Sequence, residues 1–324
     1  MMRFSSPLGS RIDAFLELKR AMGRRYDEAE ILLRGFERYV AALDPLAEVV
    51  TRELVHGWLA ARPNIRPSTL VTRGGILRQF CLYLARTDPR TYVPERALLP
   101  ATLPIFRAHI YSEEEVRALV QAALSPSPHR SSTRPHTLST MILVLYATGL
   151  RRREICRLRL ADVDLDARTL FVHMTKFYKS RLVPFSAGLA EKLRTYLDFR
   201  ARQPPVDGHA PLFLNRGRRA FGPRKLSGIF HELIKTAGIV SAPSRRGPRL
   251  HDMRHTFAVH RLLRWYREGA DVEAKLSLLA TYMGHGNVLS TQVYLSATAE
   301  LLREASGRFE RAYGSLVVVP GGRQ

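Results

Sequence analysis

Apolar side chains in the first hundred residues recur three and four positions apart, the spacing of one helix face. Ile12, Phe15, Leu16 and Leu18 form such a row over 10–22, closed by Gly23. Ile31, Leu32, Phe36, Tyr39 and Val40 form a second over 27–43, and Leu54, Val55, Trp58 and Leu59 a third over 51–61, opened by Thr51. Leu70, Ile76, Leu77, Phe80 and Leu84 form a fourth over 68–86. The period then lapses, and Pro89, Pro94, Pro100 and Pro104 give 88–104 the character of a linker. Ser112 followed by Glu113, Glu114 and Glu115 marks the start of a helix running to about 124. A polar, proline-containing loop over 125–135 precedes helices at 136–148 and 152–160, which are separated by Gly149. Between 163 and 185 the period becomes two: Leu170, Val172 and Met174 alternate, and Leu182, Val183 and Phe185 follow a turn. Helical spacing returns over 187–202, 225–237, 252–267, 272–283 and 290–305. The expected fold class is mainly α with a small antiparallel β-sheet, in two domains.

Composition narrows the function. A chain of 324 residues can build two cores, and 45% apolar with 25% charged residues is a folded composition. The longest apolar run, 141–147, is too short to span a bilayer. Arg11, Asp13, Glu17 and Lys19 interrupt any signal-peptide pattern, so a cytoplasmic, nucleoid-associated protein is expected. Cys81 and Cys156 sit in apolar helical patterns and read as reduced core thiols. Two cysteines alone cannot complete a tetrahedral zinc site. Lys and Arg number 51 against 29 Asp and Glu, a net charge of +22, with arginine the dominant cation. Guanidinium forks match phosphate oxygens, so the balance favours a nucleic-acid partner. Residues 1–110 carry 17 basic and 11 acidic residues and the remainder 34 and 18, so a groove between two basic parts is expected to hold DNA from both sides.

The chain has neither a Gly-x4-Gly-Lys-Ser/Thr run nor a Gly-x-Gly-x-x-Gly after a strand. Asp162, Asp164 and Asp166 alternate around a strand turn and read as solvated acids. The distinctive chemistry is cationic. Arg151 follows Gly149-Leu150 at a corner between helices, and Glu154 lies one turn on, able to orient it. Lys176 falls at the tip of the sheet. His251 and Arg254 share one helix face, His285 stands between Gly284 and Gly286, and Tyr294 follows nine residues later. His251 and His255 have the i,i+4 spacing of a zinc pair, without the intervening glutamate or a third ligand. Singly, these features read as a helix cap, a surface lysine or a half-buried aromatic. As an ordered set they are specific.

That set resembles the tyrosine recombinases, the phage integrase or Xer/Cre-like family. The matching strings are Ala-Thr-Gly-Leu-Arg-Arg-Arg-Glu-Ile at 147–155 and Lys-Phe-Tyr-Lys-Ser-Arg-Leu-Val-Pro at 176–184, continued by Leu-His-Asp-Met-Arg-His-Thr-Phe-Ala at 250–258 and Met-Gly-His at 283–285, with Tyr294 beyond. The order Arg, Lys, His-x-x-Arg, His, Tyr is the family's order. Arg152 and Arg153 stand where a small residue is common, and 264–268 looks like an extension resembling transposon-encoded members.

The resemblance implies a helical core-binding (SAM-like) DNA-binding domain at 1–88, a Pro-rich linker at 89–108, a catalytic domain at 109–310 and a tail at 311–324. It implies that Tyr294 attacks the scissile phosphate and forms a 3′-phosphotyrosine, with Arg151 and Arg254 clamping the non-bridging oxygens. His285 would add a hydrogen bond, His251 would assist the tyrosine proton, and Lys176 would protonate the leaving oxygen, with Lys179 as the alternative. Glu154 would orient its neighbours. Arg152, Arg153, Lys179, Arg181, Arg245 and Arg246 would contact DNA. The implied partner is a double-stranded recombination site held by a homo-tetramer, alone or with related recombinases, and the apolar tail at 316–319 is expected either to fold back on its own domain or, the favoured reading, to dock on a neighbour. No cofactor and no metal are expected. A type IB topoisomerase-like nicking-closing enzyme shares this chemistry, and a DNA-binding regulator without catalysis is the non-enzymatic alternative.

Overall fold

A computed structural model describes residues 6–24, 26–61, 64–96, 108–125, 134–173, 180–240, 247–285, 287–295 and 299–313. Lys176, Lys179, Arg245 and Arg246, the stretch 97–107 and the tail from 314 lie outside the described residues. The chain divides into two units, Met1–Phe106 and Arg107–Gln324.

The first unit is built from α1 (Pro7–Ala21), α2 (Asp27–Leu43), α3 (Arg52–Ala60) and α4 (Pro67–Leu84). α1 begins earlier than its apolar row, because Pro7 supplies a preset helical φ at a first-turn position that needs no N–H donor. The helices meet over Leu8, Ile12, Phe15, Leu33, Phe36, Trp58, Leu77 and Phe80, all buried. Phe15 packs edge-on against Phe80 at 5.5 Å, and Phe36 against Trp58 at 5.4 Å. The Thr51 hydroxyl caps α3 by accepting from the Leu54 N–H at 3.4 Å.

The second unit opens with α5 (Glu113–Leu124), where Ser112 and Glu115 cap each other's backbone N–H groups at 3.2 and 2.9 Å. α6 (Arg134–Thr148) runs through the core and buries residues on most of its circumference, Leu138, Met141, Ile142, Val144 and Leu145 among them. Gly149 ends it at φ +60°, and a Cβ there would lie 2.6 Å from Cδ1 of Phe257. This position therefore needs glycine twice over, for its conformation and for space.

The strands β1 (Val163–Asp164), β2 (Thr169–Val172) and β3 (Arg181–Pro184) form an antiparallel sheet in sequential order. Leu170 pairs with Val183 and Phe171 with Leu182. Leu170, Val172 and Val183 turn into the core while Phe171 and Leu182 face outward, as a period of two requires. The described residues continue with α8 (Ala187–Ala201), α9 (Pro223–Thr236), α10 (Asp252–Arg267), α11 (Val272–Met283), α12 (Leu289–Gln292) and α13 (Ala299–Tyr313). No helix among the described residues is long and apolar enough to cross a membrane.

Two expected helices are corrected. The helix expected over 152–160 is only α7 (Arg152–Ile155). Beyond it the backbone pairs with a distant strand-like segment: Leu160 N–H donates to Ala210 O at 3.0 Å, and Leu212 N–H to Leu158 O at 2.8 Å. Tertiary hydrogen bonds there replace helical ones. The single helix expected over 290–305 is instead two, α12 and α13. Tyr294 lies past the end of α12 in a tight turn, its N–H donating to Thr291 O at 3.0 Å and that of Leu295 to Gln292 O at 2.9 Å. That turn is where the tyrosine ring goes into the interior.

Candidate active site

The site is organised by the C-terminal end of α11. Gly284 terminates that helix in the left-handed region, φ +68°, and leaves its last carbonyls without helical partners. Three successive carbonyls each receive a guanidinium. Tyr282 O accepts from Arg181 Nε at 2.9 Å, Met283 O from Arg254 Nη2 at 2.5 Å, and Gly284 O from Arg151 Nη2 at 2.6 Å. Cations suit this end, where carbonyl dipoles concentrate negative potential.

Glu154 holds the cluster from the other side. Its carboxylate accepts the Arg151 backbone N–H at 2.8 Å and Arg151 Nη1 at 2.8 Å, and both Nη atoms of Arg181 at 3.1 and 3.0 Å. Burial opposes the charge on Glu154, but Arg181 and Arg151 outweigh it and hold the carboxyl near 2. Arg254, 2% exposed, also donates from Nη1 to Gly149 O at 2.7 Å. Burial and the neighbouring Arg151 lower it to about 10, which still leaves it charged at neutral pH.

Tyr294 is 5% exposed. Its ring meets His255 edge-on at 5.3 Å and stacks on His285 at 6.1 Å, with the positive charge of Arg254 nearby. Burial raises its pKa, partly offset by Arg254. The His285 Nδ1 lies 2.7 Å from the Thr291 hydroxyl. Burial, together with Arg254, Arg151 and Arg181, pushes His285 down to about 4, so the ring is neutral at pH 7. His251 stands at the start of α10 with an exposed edge and touches His255 edge-on at 5.3 Å. Desolvation of its packed face, with His255 and Arg254 nearby, lowers its pKa.

Of the residues singled out in the sequence, the fold therefore gathers Arg151, Glu154, Arg254, His285 and Tyr294, with His251 at the edge and Arg181 turned inward onto Glu154. Arg152 Nη1 donates to Ser227 at 2.7 Å and ties α7 to α9, while Arg153 is exposed. Two contributors escaped the sequence reading. His255 was visible only as a partner for His251 at zinc-like spacing, yet it packs on the tyrosine ring. Thr291, buried beside His285, gave no signal. Among the described residues no group of three or more His, Cys, Asp or Glu is placed to hold a metal ion.

The arrangement sets a buried phenol against a fixed guanidinium, with two more guanidiniums and neutral imidazoles around it. Such a site can receive a phosphodiester and stabilise charge on its oxygens while the phenol attacks. The class of chemistry this arrangement fits is phosphoryl transfer to a tyrosine.

Residues 110–300 match the profile of the phage integrase family. The chain is 37% identical over 305 residues to the integrase/recombinase y4rB of Sinorhizobium fredii, covering 93% of this chain and 96% of that one. It is 34% identical over 245 residues to the tyrosine recombinase XerC of Bacillus pumilus, covering 73% and 72%. The fold is similar to the Tn1549 transposon integrase in complex with transposon right end DNA, with TM-score 0.65 and 18% identity over 93% of this chain and 98% of that one. The XerH site-specific recombinase bound to palindromic difH has TM-score 0.64 and 19% identity over 86% and 78%. The chain belongs to the phage integrase family of tyrosine recombinases, enzymes that break and rejoin DNA.

Proposed function

We propose that this protein is a site-specific recombinase that cuts and reseals DNA through a 3′-phosphotyrosyl link at Tyr294, inside a synapse of four subunits on two duplexes. The observation that carries the reading is the buried Tyr294 ring packed on His255 and His285 beside the guanidiniums of Arg254 and Arg151. In this reading Arg254 and Arg151 bind the non-bridging oxygens with the N–H groups not engaged by carbonyls, and charge grows there in the transition state. His285 donates a further hydrogen bond. His251, with its solvent-exposed edge, relays the tyrosine proton, and Lys176 supplies the proton for the leaving 5′ oxygen. Glu154 keeps Arg151 aimed. The phosphotyrosine conserves the bond energy, so religation to a new 5′-hydroxyl needs no nucleotide. The DNA-bound states of the Tn1549 integrase and XerH support double-stranded DNA as the partner, and the former supports a mobile-element role. Arg152, Arg153, Lys179, Arg245 and Arg246 are the proposed backbone contacts, with 1–88 as the core-binding domain and 109–310 as the catalytic domain.

The test is Tyr294→Phe on a nicked substrate made from the DNA flanking the coding sequence. The wild type should form a denaturant-resistant protein–DNA adduct, and the variant should bind but form none. An adduct with the Phe variant would move the nucleophile elsewhere, Tyr282 first, although that hydroxyl donates to Pro184 O at 2.9 Å.

A further inference from the structure

Thr291 is fully buried, and its hydroxyl oxygen lies 2.7 Å from His285 Nδ1, its one hydrogen-bond partner among the described residues. Threonine hydroxyls in helices commonly turn back to a carbonyl four residues earlier. This one turns to the imidazole instead. We infer that Thr291 is a positioning residue: its hydroxyl donates to Nδ1 of His285, confining the ring proton to Nε2, where it serves as donor to a phosphoryl oxygen. The inference rests on the recombinase reading for the phosphate and on the structure alone for the tautomer.

Two proton arrangements fit a 2.7 Å contact. In one, Nδ1–H donates to the threonine oxygen, and the buried O–H is left without an acceptor. In the other, the O–H donates to Nδ1 and both groups are satisfied. A buried donor without a partner costs about 1–3 kcal/mol, so the second arrangement dominates. Burial, with the positive charge of Arg254, Arg151, Arg181 and His255 nearby, keeps the ring neutral, so one nitrogen must be bare, and Thr291 selects which.

The same residue reaches the nucleophile. Thr291 O accepts the N–H of Tyr294 at 3.0 Å, so one threonine fixes the orientation of His285 through its side chain and the tyrosine turn through its backbone. Branching at Cβ restricts χ1, which holds the hydroxyl on Nδ1. Thr291→Val keeps shape and volume and deletes only the donor. Thr291→Ser keeps the donor.

The experiment is long-range 15N–1H NMR on the full-length, histidine-labelled protein, with the His285 signals assigned by their loss in His285→Gln. Wild type and Thr291→Ser should show His285 as the neutral Nε2–H tautomer, and Thr291→Val should show a substantial Nδ1–H population. Adduct formation on the nicked flanking-DNA substrate should fall roughly tenfold or more in Thr291→Val and recover in Thr291→Ser. A wild-type ring protonated on Nδ1 would overturn the inference, whatever the variants do. So would a Val variant that loses activity while keeping the Nε2–H tautomer, since that would leave Thr291 only a packing role. A wild type with the expected tautomer and no adduct would count against the recombinase reading and not against the Thr291–His285 contact.

Discussion

The Arg181 guanidinium lies fork to fork on the Glu154 carboxylate, Nη1 to Oε1 at 3.1 Å and Nη2 to Oε2 at 3.0 Å. The pair joins strand β3 to helix α7, and Arg181 Nε reaches onward to the end of α11. One buried carboxylate thus sets the spacing between two arginines that plain charge repulsion would separate.

Removing that charge should be costly. Glu154→Gln leaves Arg181 and Arg151 facing each other around a single neutral acceptor. Breaking a buried pair in this way costs on the order of 3 kcal/mol. Urea unfolding should show the midpoint falling, and adduct formation should fall with it. Arg181→Lys should give a milder version of both defects, because an ammonium cannot reproduce the two-point contact. An unchanged midpoint in Glu154→Gln would mean the carboxylate does not hold the cluster together.

Gly149→Ala combines a disfavoured φ with a contact at 2.6 Å to Phe257, and it shifts the carbonyl that Arg254 uses. The left-handed conformation alone costs a non-glycine residue roughly 1–2 kcal/mol. Overpacking adds a similar amount. Melting temperature and adduct yield should both drop. Gly35→Ala is the control: Gly35 sits within α2, where an added Cβ meets nothing within 4 Å, so that change should be neutral or stabilising.

The histidines give stability a pH dependence with a definite sign. His285, His251 and His255 all have lowered pKa values in the folded state, His285 to about 4, with burial the first cause in each. Once unfolded they titrate near 6.5, so between these values the unfolded chain binds more protons than the folded one. Stability should be full above about pH 6.5 and decline as pH falls toward 4. Carboxylates such as Glu154, held near 2, contribute their loss at lower pH. Melting temperatures of the free protein between pH 7.5 and 5 test this, and His285→Gln should flatten the curve.

The helices of the first unit, the period-two strands and the order of the cationic motifs were legible in the amino-acid sequence, because each rests on local spacing. An apolar row three and four apart must face a core, and alternation must make a two-faced strand. The strings around Arg151, Arg254 and His285 carried the family resemblance for the same reason: their chemistry is compressed into neighbouring residues. Tertiary structure decided what depends on contacts distant along the chain. Arg181, read as a DNA contact, is engaged by Glu154, 27 residues away, and by the Tyr282 carbonyl. The helix after Arg151 ends at Ile155 because Leu158 and Leu160 find backbone partners near residue 210. Tyr294 leaves its expected helix because burial between His255 and His285 outweighs continuing a short helix on the surface. Local periodicity encodes which face is buried. Which carbonyl, carboxylate or ring waits on the other side is set by long-range packing, and the assembly of the site depends on it.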